Sequence, residues 1–387
     1  MKVLAFSNLF PSAAKPAFGT FNRETFLALS RYCDIRVVVP TPAWQMLSRP
    51  RDILSPSHET QTGLDATFPP FFSIPGATWL HAGGMAASLL RTMSKLRESF
   101  PWDAIVAAWA YPDATAAAIF AERWKTPLVT VALGTDLNVV PGYRLVGPQI
   151  RWALSRSARV LTVSRALGDR AIALGARPDR VVIQHNAVNG DAFKLRDRAE
   201  IRRTLSLETD RPTIGYFGHH RKIKGTDVLI EAMDHLVHRL GRRDALLLLV
   251  GQGEITGEIR ARTTALGLDS NIRFLGVKPH AEIPTWMSAL DVFCLPSRQE
   301  GCPNVVLEAL ASGRPVVASR VGGVPEILDD RSGILVPSED PSALASGLAS
   351  ALDRRWDPEA LRGSVEFLSW DAVGQRYARM LEELVTR

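Results

Sequence analysis

Short apolar runs rich in Val, Ile, Leu and Ala recur along the whole chain, and stretches long enough for a helix separate them. No other feature constrains the fold as much as this alternation. In the first half the runs fall at residues 3–6, 35–39, 104–108, 128–131, 160–163 and 181–183. In the second they fall at 213–217, 246–250, 272–275, 292–295, 316–318 and 334–336. Strands this apolar on both faces must be covered on both, which a parallel sheet with crossover helices achieves. Two such sets imply two doubly wound α/β domains, and 387 residues exceed what one ordinary core holds. The charged stretch 191–210 is read as the linker between a domain over 1–190 and a second over 211–365. A last helical segment covers 366–387. Residues 41–75, rich in Pro, Ser and Thr, read as a long loop region. Ligands of open α/β sheets lie beyond the carboxyl ends of the strands, so the expected site is a central cleft that the two domains face.

Composition narrows the class further. A hydrophobic share of 46% with 22% charged residues is that of a soluble globular protein. No apolar run approaches the ~18–20 residues that span a bilayer. The opening Met-Lys-Val-Leu-Ala-Phe-Ser-Asn reads as a first strand and not a secretory signal. Cys33, Cys294 and Cys302 are too few and too scattered for a disulfide framework or a metal site, and they fit a reducing compartment. Residues 1–195 hold 21 Lys and Arg against 13 Asp and Glu, whereas the remainder holds 25 against 27. The first half therefore either meets an anionic surface or simply carries scattered solvated arginines.

Residues 296–319 carry the most chemistry. The strand at 292–295 runs into a polar loop with Glu300 beside Gly301, and a helix is expected to start near Pro303, a residue suited to a first turn. Glu308 follows in the second turn. Amides of residues 303–305 at that helix start would favour an anion. Two carboxylates that accept from hydroxyls, beside a ring of N–H groups, suit a nucleotide sugar.

Other constellations also follow strands. Gly218-His-His-Arg-Lys-Ile-Lys-Gly225 is a glycine-bounded basic loop, with Lys224 the best placed cation. It either neutralises a diphosphate or is a basic surface turn. Val250-Gly-Gln-Gly-Glu254 is either a site of close backbone approach to a ligand or a tight turn without one. Gly19 would let amides reach a phosphate at the next helix start, or it marks a plain turn. Trp109, Asp113 and Asp136 follow first-domain strands. The two acids either meet sugar or acceptor hydroxyls or cap helices. Residues 79–100 form a basic amphipathic stretch with Arg91, Lys95 and Arg97, which lies on an anionic membrane or is an ordinary helix with one buried face. The eight histidines show no metal-ligand spacing, and no serine-hydrolase, zinc-protease or P-loop pattern occurs.

The segment from Glu300 to Glu308 resembles the E-x7-E motif of retaining glycosyltransferase family 4, a GT-B family. Asn271 to Pro337, with Val321-Gly-Gly-Val-Pro-Glu-Ile327, is similar to the second domain of that family. Gly19, Tyr111-Pro-Asp113, Gly134-Thr-Asp136 and the final Trp370 helix extend the likeness over the whole chain. The resemblance implies a GT-B fold of two Rossmann-like domains and catalysis carried by Glu300, Lys224 and Asp136. It implies donor contacts from Gly19, Gly218, His219, Arg221, Lys224, Glu300, Gly301, Cys302, Pro303, Asn304, Val305 and Glu308. Trp109 and Asp113 are the acceptor-side candidates. No cofactor or metal is implied; the co-substrate would be a UDP- or GDP-sugar, and the leaving diphosphate is the main charge to stabilise. Three positions depart from the pattern of the family. His219 stands where an arginine is usual, with Arg221 or Lys222 available to replace the charge. Leu133 stands where many members have a histidine, and Cys302 replaces a common aromatic.

These readings lead to a retaining glycosyltransferase that moves a sugar from a nucleotide-sugar donor to a glycan or lipid-linked acceptor in cell-surface or exopolysaccharide synthesis. It would be cytoplasmic and peripheral on the inner membrane face, with no nucleic-acid partner. A GT-B sugar-nucleotide epimerase and a non-catalytic nucleotide-sugar-binding homologue are the alternatives.

Overall fold

The computed structural model describes residues 1–12, 15, 18–46, 57–59 and 63–386. The chain divides into two compact units, Met1–His185 with Trp370–Arg387, and Asn186–Ser369.

Eight strands build the sheet of the first unit: β1 (Lys2–Phe6), β2 (Asp34–Val38), β3 (Ser57–Glu59), β4 (Asp65–Phe68), β5 (Ala104–Ala108), β6 (Leu128–Ala132), β7 (Arg159–Thr162) and β8 (Val181–Ile183). Their order is β8-β7-β6-β5-β1-β2-β4-β3. All pairs are parallel except β3 with β4. One face of β1 and β5 packs Leu4, Phe6 and Ile105 against Met85, Leu89 and Met93 of the helix His81–Ser99 and against Phe120. Each such side chain contributes roughly 1.5–3 kcal/mol by leaving water. The apolar stripe of that helix therefore belongs to the core, and Arg97 on its flank lies 4.8 Å from the Trp102 ring and donates to the Trp102 carbonyl. Among the described residues no helix is long and apolar enough to cross a membrane.

Two expectations change here. Strand β4 lies inside the stretch read as loop. Its alternation is real but only four residues long, with Ala66 and Phe68 buried and Asp65 and Thr67 turned outward. Residues 47–56, in the same stretch, fall outside the described residues. The stretch read as a linker carries the helix Arg198–Thr204, capped by Asp197 accepting from the Glu200 N–H at 2.8 Å. Arg202 there is 1% exposed and donates to the carbonyls of Ala289, Thr209 and Arg211 and to Asp291 at 2.6 Å. A charged composition suggests solvation, but one half-buried aspartate just before a strand, together with three backbone carbonyls, holds this arginine inside.

The second unit has six strands: β9 (Thr213–Phe217), β10 (Leu246–Val250), β11 (Ile272–Gly276), β12 (Val292–Leu295), β13 (Val316–Ser319) and β14 (Gly333–Val336). They are all parallel in the order β11-β10-β9-β12-β13-β14. Ile214, Leu247, Leu249, Val292 and Val317 meet Leu229, Met233, Leu344 and Leu348 in one core. The order reverses direction between β9 and β12. At such a switch point the crossovers diverge to opposite faces and leave a crevice at the carboxyl ends.

The helix Trp370–Val385 closes the first unit. Trp370 packs on Phe21, 5.5 Å between rings, and Gly374 sits so close to the helix Thr20–Ser30 that an added Cβ would fall 2.4 Å from the Ala28 carbonyl oxygen.

Candidate active site

Two loops flank the switch point of the second unit. The loop after β9 ends in a short turn, Lys222–Lys224, and in Gly225, whose φ is +66°. A Cβ at Gly225 would lie 1.9 Å from the Pro296 carbonyl oxygen, so only glycine lets this loop press against the one after β12. Arg298 fastens the two together. Its amide donates to the Ile223 carbonyl, and its guanidinium donates to the Lys222 carbonyl, to Asp227 at 2.9 and 3.1 Å and to Glu339 at 2.9 Å. Burial pushes the Asp227 carboxyl up, yet the Arg298 hydrogen bonds and charge outweigh it and hold the group below the ordinary range.

The clamp sets Lys224 Nζ 2.7 Å from Glu300 Oε1, and Ser297 Oγ donates to the same oxygen at 2.6 Å. Glu300 is 7% exposed and Lys224 34%. A cation that can turn outward and an acid held inward thus share one spot. A third loop supports them from behind. A Cβ at Gly322 would fall 1.8 Å from the Glu300 carbonyl oxygen, and Gly323 N–H donates to Gly301 at 3.0 Å. The glycines of Val250-Gly-Gln-Gly253 do the same for the basic loop, since a Cβ at Gly251 would meet the Gly218 carbonyl oxygen at 2.0 Å. That turn is accounted for by close approach of protein backbone.

Pro303 is the N-cap of the helix Asn304–Ala311, one residue earlier than a first-turn position. Proline has no N–H, so the donors at this turn are Gly301, Cys302, Asn304 and Val305, and none donates to an acceptor among the described residues. Asn186 orders them, donating to the Cys302 carbonyl at 2.8 Å and to Asn304 Oδ1 at 2.6 Å. The Cys302 side chain turns inward, 7% exposed, and burial pushes its thiol up to about 12. Glu308, four residues after Asn304 on the same helix face, lies 3.9 Å from the exposed His280 ring.

The remaining cations of the loop divide clearly. Lys222 pairs with Asp227 and Glu258. Gly218 and His219 are exposed, and the His219 carbonyl accepts from Tyr216. Arg221 is exposed and its side chain makes no hydrogen bond or ion pair with a described residue, which makes it the available substitute for the arginine that His219 replaces. Sequence reasoning missed Ser297, Arg298, Gly322 and Asn186. Ser297, Arg298 and Gly322 lie within runs already singled out, whereas Asn186 carried no readable signal.

In the first unit the outcome differs. Asp136, read as catalytic, is fully buried and accepts from the amides of Ala110, Leu133 and Gly134 at 3.0, 3.1 and 2.7 Å. Asp113, read as acceptor-side, is equally buried and accepts from the Asn8 amide. Both tie strand-end loops together, a use of short acids that outcompetes exposure whenever several orphan amides converge. Trp109 is half-buried, with φ +93°, and its amide bonds to Val131. Gly19, at φ +69°, is required by the Leu9 backbone, which a Cβ would meet at 2.3 Å. Trp102 and Trp124 pack into the core, whereas Trp44 and Trp79 are exposed.

Burial is the largest cause holding the Asp113 carboxyl well above the usual range, and its Oδ2 has no partner. A raised folded-state pKa means the native state keeps its proton longer than the unfolded chain. Stability then falls as pH rises from the ordinary carboxylate range through the folded pKa. Asp113→Asn keeps the acceptor for Asn8, and it should flatten that decline when melting is followed from pH 4.5 to 8. An unchanged slope would refute the assignment.

Comparison with known proteins identifies the family and the fold. Residues 211–354 match the family model for glycosyl transferases group 1, and residues 27–187 match the glycosyl transferase 4-like domain. The chain is 29% identical over 373 residues to a putative teichuronic acid biosynthesis glycosyltransferase of Bacillus subtilis, covering 93% of this chain and 91% of that one. It is 30% identical over 287 residues to D-inositol 3-phosphate glycosyltransferase 1 of Catenulispora acidiphila, covering 70% and 68%. The crystal structure of Anabaena HepE in complex with UDP superposes with a TM-score of 0.77 at 20% identity, over 99% of this chain and 100% of that one. With two Rossmann-like sheets and both domains matched, the chain belongs to the glycosyltransferases of family 4 type and is a transferase of GT-B fold.

Proposed function

We propose that this transferase takes its sugar from a UDP- or GDP-sugar and passes it, with retention of anomeric configuration, to a glycan or lipid-linked acceptor at the inner membrane face. One observation carries the reading: Lys224 and Glu300 meet at the switch point beside four unpartnered amides. The HepE complexes with UDP and with UDP-glucose support the donor class. The Bacillus relative supports a cell-surface polymer as the acceptor.

In this scheme the diphosphate lies on the amides of Gly301, Cys302, Asn304 and Val305. Those dipoles are already oriented, so little reorganisation accompanies the growth of negative charge. Lys224 and Arg221 neutralise the leaving group without a metal. Glu300 accepts from donor-sugar hydroxyls, and Glu308 accepts from the ribose. The acceptor attacks from the face the diphosphate leaves, and a departing phosphate oxygen takes its proton, so no protein nucleophile is required.

A panel of UDP-, GDP- and ADP-sugars read by thermal shift tests the donor class, because a ligand that binds only the native state raises melting. Failure of every nucleotide sugar at millimolar concentration would sink the reading. With the donor that binds, Glu308→Gln should raise its KM about tenfold and leave kcat within about threefold, the pattern of lost uniform binding. A fall in kcat alone would contradict the ribose assignment.

A further inference from the structure

At the opposite, N-terminal edge of the second sheet lies an open pocket of about 770 Å³, lined by Leu195, Arg196, Arg198, Arg314 and Pro358 among others. Arg314 lies two residues before β13 and is 8% exposed. Its Nε is buried without a hydrogen-bond partner, and its guanidinium makes no hydrogen bond or ion pair with a described residue. A buried charge left so is costly and calls for a counter-charge. Asp291, whose charge acts on Arg314, is already engaged, accepting from Arg198, from Arg202 and from the Thr213 amide. Burial first, and then the neighbouring Arg198 charge, lowers the Arg314 pKa to about 10. The walls are shaped by a close approach. Gly313 has φ +69°, and a Cβ there would fall 2.4 Å from the Leu195 side chain and 2.9 Å from that of Pro358.

We propose that this pocket binds a single compact oxyanion, a phosphate or a carboxylate, received by the Arg314 guanidinium with Arg198 and Arg196 at its flank. A guanidinium offers paired N–H groups that match two oxygens of either group. Asp197, Asp210 and Glu359 stand exposed at the rim. Their charges disfavour polyanions and suit a small ligand carrying one such group.

Titration calorimetry of the full chain with inorganic phosphate, and separately with glucuronate, at an ionic strength fixed with chloride, tests the site and distinguishes the two sources. One of the probes should bind saturably. Arg314→Met should weaken it at least about tenfold, and the binding should persist when the donor loops are saturated with the nucleotide sugar found by thermal shift, separating this pocket from the donor loops. In anion-free buffer Arg314→Met should melt no lower than the parent protein. Absence of saturable binding for both probes, or equal binding by Arg314→Met, overturns the proposal. If Arg314→Met does not fold, Arg198→Gln on the exposed wall replaces it. It should weaken the same probe, and unchanged binding by that variant is equally fatal.

Discussion

Replacing Lys224 with Met should lower kcat for sugar transfer by about two to three orders of magnitude, the usual effect of deleting one pre-placed charge partner of a leaving oxyanion. Lys224 is a third exposed and bonded to Glu300 in the free protein. The diphosphate would replace that bond, releasing Glu300 to a sugar hydroxyl. Two effects are therefore mixed in the single variant. Glu300 loses its cation, although Ser297 still donates to it, and the leaving group loses its counter-charge. The double variant Lys224→Met with Glu300→Gln removes the uncompensated acid. It should recover melting temperature without recovering turnover. Turnover in Lys224→Met above about a tenth of the parent rate would contradict the charge-neutralising role.

Gly225→Ala should be among the most damaging single methyls in the second unit. The added carbon meets the Pro296 carbonyl oxygen at 1.9 Å, and the residue must also hold φ +66°. The left-handed backbone alone costs roughly 1–2 kcal/mol, and the displaced loop raises the total to about 3–5 kcal/mol. Melting of the second unit should fall by roughly 10 °C, and donor binding should fail with it because Lys224 and Glu300 part. Gly257→Ala is the control. It lies in the helix Thr256–Ala265 with nothing within 4 Å, so added helix propensity should raise stability by about 0.5–1 kcal/mol. Equal effects at the two positions would show that the contact with Pro296 is unimportant.

The strands were legible because nearly every position of a doubly covered parallel strand is apolar, as in Leu246–Val250, and such runs resist confusion with amphipathic helices. Strand β4 was hidden by its four-residue length and by its Pro- and Ser-rich neighbours. The loops after β9 and β12 were legible as candidates because Lys224, Glu300 and Glu308 are chemically conspicuous beside glycines. What fixes them in space was not. Arg298 reads as one arginine among many until the fold brings Asp227 and Glu339 to it. Asp113 and Asp136 show the complementary difficulty. A short acid after a strand has one spelling whether it faces a substrate or collects amides from its own backbone, and only burial separates the two.

The return of the Trp370–Val385 helix to the first unit has a consequence for synthesis. During translation the segment 186–369 must be made while the earlier body still lacks its last piece. At ~5–20 residues per second that wait lasts about 10–40 s. Throughout it the seat around Phe21 and Ala28 stays uncovered. A released chain that ends before residue 370 should therefore show a protease-resistant middle and a vulnerable beginning.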